Sequence, residues 1–231
     1  MESNKLKIRQ QALQLIDRID HTNLKICATE KDIINLCNEA IKYQTASVCI
    51  APAYVKIASE FLKSYSNISA NRVRICTVIG FPNGYATTAS KLFEAKNAIE
   101  NGAAEIDMVI NIGFLKDKKF FELEKEINLI KNACGEHILK VIIETCLLTD
   151  EEKKIMCEIC LNACADYIKT STGFSTGGAT LEDIKLMKST IGNRKLKIKA
   201  AGGVKSFEDL IEFVNAGANR IGASHGKNLI K

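Results

Sequence analysis

The chain has 231 residues, 46% of them hydrophobic, with 32 Lys+Arg against 27 Asp+Glu, 9 Cys, 2 Pro and no Trp, which excludes a disordered, fibrous or collagen-like protein. The net charge of +5 is modest and spread along the chain, so obligate nucleic-acid binding is not indicated. No uncharged apolar run approaches the about 18 residues of a membrane span, and residues 1–10 are polar, so the expectation is a cytoplasmic protein with no membrane or nucleic-acid partner.

Strand-like runs near 15–20, 46–50, 73–79, 104–110, 139–144, 167–170, 196–200 and 220–222 alternate with helical spacing over 30–42, 55–63, 88–101, 119–134, 150–164, 181–188 and 206–216. Such alternation predicts βα units and a parallel sheet, and about eight strands in this length predict an α/β fold closed as a (β/α)8 TIM barrel. Thr29, Thr87, Thr149, Thr180 and Ser206 are suitable helix N-caps. No Pro-rich or Ser-rich linker breaks the series, so residues 1–231 read as a single domain.

Cys49, Cys76 and Cys146 lie in apolar strand-like runs, where Cys acts as a small core residue, and a reducing compartment fits better than disulfides. Cys157, Cys160 and Cys164 have the short spacing of metal or iron–sulfur ligands. They also form the i, i+3, i+7 stripe of one helix, with no fourth ligand in evidence. His21, His137 and His225 are scattered without zinc-site spacing. Neither a metal nor another cofactor is therefore expected.

Strands buried on both faces should be uniformly apolar, yet Glu105 and Asp107 alternate with Ile106 and Met108. Lys195, Lys197 and Lys199 oppose Leu196 and Ile198, and Tyr167 and Lys169 oppose Ile168. With helices on the apolar faces, the charged faces are expected inside the barrel or at its mouth. Asp107, Lys169 and Lys199 fall late in their strands, towards the end where barrel enzymes hold catalytic groups. An unperturbed lysine is only about 0.04% neutral at pH 7. A neighbouring ammonium raises that fraction, and a neutral amine adds to a carbonyl to form an imine. Lys169 and Lys199 each lead into a glycine-bearing loop, and Gly173, Gly202, Gly203 and Gly222 with Ser224 would surround a phosphate with backbone N–H groups.

The segments 19–25, 48–52, 78–84, 105–109, 140–145, 166–174, 199–204 and 220–224 resemble, in order, the motifs of deoxyribose-phosphate aldolase, most specifically at Lys169-Thr170-Ser171-Thr172-Gly173-Phe174 and Lys199-Ala200-Ala201-Gly202-Gly203-Val204. The resemblance implies a class I aldolase, without metal, that reversibly cleaves 2-deoxy-D-ribose 5-phosphate to acetaldehyde and D-glyceraldehyde 3-phosphate. It further implies that Lys169 forms the imine, Lys199 depresses its pKa and Asp107 relays protons through water. In the same way Asp20 is implied near the lysines, Thr22 at the sugar hydroxyl, Cys49 at the aldehyde site, and Gly173, Gly202, Gly203, Gly222 and Ser224 at the phosphate.

Two departures from the family pattern stand out: His225 occupies the place of a second Ser, and the tail 226–231 lacks a tyrosine. Two other classes remain open on the residues alone. A phosphosugar lyase or isomerase on the same barrel needs a carboxylate base but no imine, and a phosphate-ligand or nucleic-acid-binding module needs no chemistry at all. The expected partners are small phosphosugars and aldehydes; a homodimer is compatible with the sequence, which does not fix the assembly.

Overall fold

The computed structural model describes residues 10–11, 13–65 and 73–224. Among these, eight parallel strands close into a barrel in chain order: β1 Ile19–Asn23, β2 Ser47–Ile50, β3 Arg74–Ile79, β4 Glu105–Val109, β5 Ile138–Ile142, β6 Tyr167–Lys169, β7 Lys197–Ala201 and β8 Arg220–Ala223. Closure is made by β8 against β1, with Asp20 opposite Gly222. The helices outside are α1 Glu30–Tyr43, α2 Val55–Ser64, α3 Thr88–Glu100, α4 Ile112–Lys116, α5 Phe120–Cys134, α6 Asp150–Asn162, α7 Leu181–Ile191 and α8 Phe207–Ala216. No described helix is long and apolar enough to cross a membrane.

The helices start where the sequence supplies a cap. The side chains of Thr29, Thr87, Thr149, Thr180 and Ser206 each accept a backbone N–H of the first turn, a contact worth about 1 kcal/mol apiece. Apolar stripes such as Ile33, Leu36, Cys37 and Ala40 of α1 are buried. They belong to one core with the outward-facing strand residues Ile106, Met108, Val141, Ile168, Ile198 and Ile221. The inward faces are thereby left to the polar residues.

Several expectations are corrected. Residues 16–18 form a 3-10 turn, and β1 instead runs through His21 to Asn23, because its inner face is polar and the apolar run that marked the strand belongs to the approach. A short helix, α4, fills the β4–α5 connection, capped by the Asn111 side chain on Phe114 N–H. Cys146 is exposed in a 3-10 turn after β5, and Cys164 is exposed beyond α6 with φ of 57°, whereas Cys157 and Cys160 are buried. Lys195 and Lys197 are exposed; Lys197 opens β7 outside the barrel interior, its ammonium 5.6 Å from the centre of the Tyr167 ring. His225 and the tail 226–231 lie outside the described residues.

A buried ion pair joins two of the helices. The Lys91 ammonium of α3 lies 2.9 Å from Glu126 Oε2 of α5, and both side chains are out of solvent. Removing one partner strands the other charge at a cost of about 3–5 kcal/mol. Glu126→Ala is therefore expected to lower Tm in calorimetry by about 6–20 °C, and a fall under about 2 °C would show that Lys91 finds another partner.

Candidate active site

Among the described residues, seven charged side chains occupy the barrel interior. Asp107, at the middle of β4, sits opposite Lys140 of β5 in register. Its Oδ1 accepts from Lys140 Nζ at 2.8 Å, and its Oδ2 accepts from both Lys169 Nζ and Lys199 Nζ at 2.7 Å. Asp20 Oδ2 lies 2.5 Å from Lys199 Nζ and 3.7 Å from Lys140 Nζ, while its Oδ1 accepts from Arg220 Nη1 at 2.6 Å and Ser47 Oγ at 2.7 Å. Glu105 completes the lower layer, 2.6 Å from Lys140 Nζ and 3.2 Å from Arg220 Nη2.

For Asp20, Asp107, Lys140, Lys199 and Arg220 burial opposes ionisation, and the pairing overrides it. The Asp107 carboxyl is held well below the usual carboxylate range: burial pushes it up, and the Lys140, Lys169 and Lys199 ammoniums outweigh that. Asp20 is lowered in the same way by Lys199, Lys140 and Arg220. Conversely Lys199 and Lys140 are raised, since the neighbouring carboxylates, Asp107 foremost, more than offset burial. Inside the barrel three carboxylates thus face four basic side chains, one base more than acid, and the exposed Arg74 reaches Glu105 at 3.6 Å from outside. Lys140 meets three of the carboxylates, Lys199 two and Lys169 one.

Lys169 and Lys199 stand in the wall of a cavity of about 540 Å³ that Thr22, Gly173, Gly202, Gly222 and Ser224 also line. Seven of the site residues expected from sequence therefore share one surface. Asp20 and Asp107 lie buried beneath it, and Cys49 is buried in a small apolar cluster with Cys76 and Val78. Gly203 stands next to the wall rather than in it. A Cβ at Gly222 would sit 3.3 Å from Lys199 Cε, so glycine there makes room for the lysine stem. The loop after β7 turns through Gly202 and Gly203 at φ of 81° and 87°, and its carbonyls at Ala201 and Gly202 accept the Ala179 N–H. Phe174 meets Phe81 edge-on, ring centres 5.2 Å apart, as an apolar lip on the mouth.

Sequence reasoning assigns no role to Lys140, Arg220, Ser47 or Cys76, all of which touch the carboxylates. The signal for Lys140 was a lone charge within the apolar run 139–143. Glu144 was also missed. Buried and in the left-handed region with φ of 53°, it accepts the Thr172 N–H at 3.3 Å as well as the Thr172 hydroxyl, fixing the loop between Lys169 and Gly173.

Among the described residues, two groups of acidic and thiol atoms are close enough for a metal, namely Cys49, Cys76 and Asp107, and Asp20, Cys76 and Glu105. The position a cation would take beside each carboxylate already holds lysine or arginine nitrogen. The chemistry this arrangement supplies is a set of amines, two of them facing a cavity, over an ionised carboxylate.

A family model described as DeoC/LacD family aldolase matches residues 14–231. The deoxyribose-phosphate aldolase of Clostridioides difficile is 55% identical over 94% of this chain and 95% of that protein. The deoxyribose-phosphate aldolase of Finegoldia magna is 51% identical over 95% of this chain and all of its own length. Among solved structures, the tetrameric deoxyribose phosphate aldolase of Aeropyrum pernix superposes with a TM-score of 0.83 at 32% identity, covering 96% of this chain and 95% of that one. With a family model spanning nearly the whole barrel and relatives above half identity along it, this chain belongs to the DeoC/LacD aldolase family.

Proposed function

We propose that the chain is a class I aldolase that reversibly cleaves 2-deoxy-D-ribose 5-phosphate to acetaldehyde and D-glyceraldehyde 3-phosphate, with Lys169 as the imine-forming amine. The observation that carries the assignment is the pairing pattern: Lys169 opens to the cavity and meets a single carboxylate, on an oxygen it shares with Lys199. A cluster with one base more than acid is balanced when one amine is neutral, which is the form that adds to a carbonyl. Lys199, paired to Asp20 and Asp107, stays the cation beside it.

In the forward direction the Lys169 amine adds to the aldehyde carbon of the open-chain sugar, and water leaves to give the protonated imine. That cation draws the electrons of the C2–C3 bond as the C3 hydroxyl gives up its proton, releasing glyceraldehyde 3-phosphate. The enamine left on Lys169 takes a proton on its terminal carbon, and water then frees acetaldehyde. Asp107, beneath the cavity, relays these protons through water, with Thr22 towards the sugar hydroxyl and Asp20 holding Lys199. Cys49 borders the aldehyde side. Backbone N–H groups of the loops bearing Gly173, Gly202, Gly203 and Gly222, with Ser224, take the phosphate.

This reading treats residues 1–231 as one domain in the cytoplasm, acting on small phosphosugars and aldehydes without nucleic acid or membrane, and a homodimer as its assembly. Light scattering reads the last directly, and a monomer or tetramer mass would replace it. The activity is tested by following acetaldehyde release from deoxyribose 5-phosphate with and without EDTA. Equal rates are expected, because the electrophile is a protonated imine; loss with EDTA and recovery with a divalent metal would overturn the class I assignment.

Phosphate recognition has its own test. A Cβ at Gly203 meets nothing within 4 Å, but φ of 87° strains any branched side chain. Gly203→Val should therefore reshape the loop, raising KM for the phosphorylated sugar at least about tenfold more than KM for free deoxyribose, a differential of about 1.4 kcal/mol. Equal changes in both would leave the glycine serving only the turn.

A further inference from the structure

The catalytic reading gives the chemistry of two buried thiols no role, though Cys49 borders the aldehyde side. Cys49 of β2 and Cys76 of β3 are register partners on adjacent strands, and both point into the barrel, clustered with Val78. Their sulfurs and an Asp107 carboxylate oxygen all lie within 4.8 Å of one another. Neighbouring strands run about 4.8 Å apart, inside the roughly 4.4–6.8 Å between Cα atoms that a disulfide spans. The two sulfurs thus face each other across one strand pair, at a separation of no more than 4.8 Å.

We propose that Cys49 and Cys76 are a modification site, a dithiol that hydrogen peroxide converts to a cross-strand disulfide which disables the Asp107 cluster. Cys49 is the attacking sulfur. Its thiol is held below the usual range, first by its contact with the Cys76 thiol and then, against burial and the Asp107 carboxylate, by the ammoniums of Lys199 and Lys169. The Cys49 thiolate forms a bond to one peroxide oxygen as the O–O bond breaks, and hydroxide leaves, taking up the proton that Cys49 had lost to become water. Cys76 sulfur then attacks the resulting sulfenic sulfur; the S–O bond breaks, and the hydroxyl departs as water with the Cys76 proton. Two thiols are oxidised by two electrons, and one peroxide is reduced to two waters.

The bond disturbs the lysine cluster directly. Cys76 Sγ stands 3.2 Å from Asp107 Oδ1, to which it donates, and accepts from Lys140 Nζ at 3.2 Å. A disulfide removes that donor and draws the sulfur towards β2, away from the carboxylate that Lys169 and Lys199 share. Half-buried Leu24 and Phe81 pack against the thiols, and Leu24 also lines the main cavity, so the thiols lie one side chain away from it, on the side from which a small oxidant would reach them. The chain carries its own comparison: Cys157 and Cys160 are also close, at i and i+3 of α6. They lie among apolar groups, where burial pushes the Cys157 thiol up to about 12 and raises Cys160 as well, and are therefore expected to stay reduced.

The formation of the disulfide is independent of the proposed function; only its effect on turnover rests on that reading. The full-length protein is treated with hydrogen peroxide, unfolded in urea, alkylated and digested with trypsin without reduction. The expected product joins peptides 43–56 and 75–91, which carry Cys49 and Cys76 as their single cysteines, at a mass lower by two hydrogens. Cys157 and Cys160 should be recovered alkylated. Turnover of deoxyribose 5-phosphate should fall at least about tenfold as the crosslink forms and return with dithiothreitol. Peptides 43–56 and 75–91 recovered separately, each alkylated or with Cys49 carrying oxygen, would overturn the modification site. A complete crosslink with unchanged turnover would overturn its effect on the cluster. Absence of turnover before peroxide would instead count against the proposed function, with the crosslink still read by mass.

Discussion

Asp107→Asn is expected to slow turnover of deoxyribose 5-phosphate by about 10²–10⁴, the range for losing a general acid–base group, and to destabilise the fold by about 3–5 kcal/mol. The two losses share one cause. The Asp107 carboxylate accepts from three buried lysine amines and is the counter-charge of that cluster, and an amide of the same shape returns none of that charge. Four bases would then face two carboxylates. The pH dependence gives the sign: a carboxyl whose folded pKa lies below its unfolded value of about 3.9 stabilises the fold above that pH, and loses the contribution as pH falls through the folded value. The stability gap between parent and variant should therefore be full near pH 7 and shrink below about pH 4. A gap independent of pH would mean the variant loses packing rather than charge. Borohydride trapping should survive in Asp107→Asn, because the amine remains; if it vanished together with turnover, Asp107 would serve imine formation itself.

The second large effect separates the two lysines on Asp107 Oδ2. Lys169→Leu should abolish the trapped adduct at every pH. Lys199→Leu should also cripple turnover near pH 7, for a different reason. It removes the cation at 2.7 Å from the shared oxygen, leaving Lys169 as the sole ammonium there. A lysine near its unperturbed pKa is about 0.04% neutral at pH 7 and about 4% at pH 9. Trapping on Lys169 in that variant should therefore quicken about a hundredfold between those pH values. A Lys199→Leu variant that traps equally fast at both would remove Lys199 from the argument.

The barrel was legible because each of its signals is local. Thr29, Thr149 and Ser206 announce helices through spacing to Asp32, Glu152 and Asp209, and those capping contacts form within three residues. The alternation of Glu105 and Asp107 with Ile106 and Met108 marked an inward charged face for the same reason. What the sequence hid depends on register. Lys140 becomes part of the site only because β5 pairs it beside Asp107, and a single lysine in an apolar run carries no trace of that neighbour. Lys197 shows the converse: it shares the alternation of Lys199, yet as the first residue of β7 it stays outside the barrel interior. Alternation gives the face of a strand, not the height along it. Glu144 had no signal at all, since its grip on Thr172 joins segments 28 residues apart through a left-handed backbone turn.

The most direct measurement incubates the unmodified chain with acetaldehyde and borohydride and maps the reduced adduct by peptide mass. The account predicts a single ethyl adduct on Lys169. An adduct on Lys199 would reverse the roles of the two lysines, and no adduct on any lysine would contradict imine chemistry in this barrel.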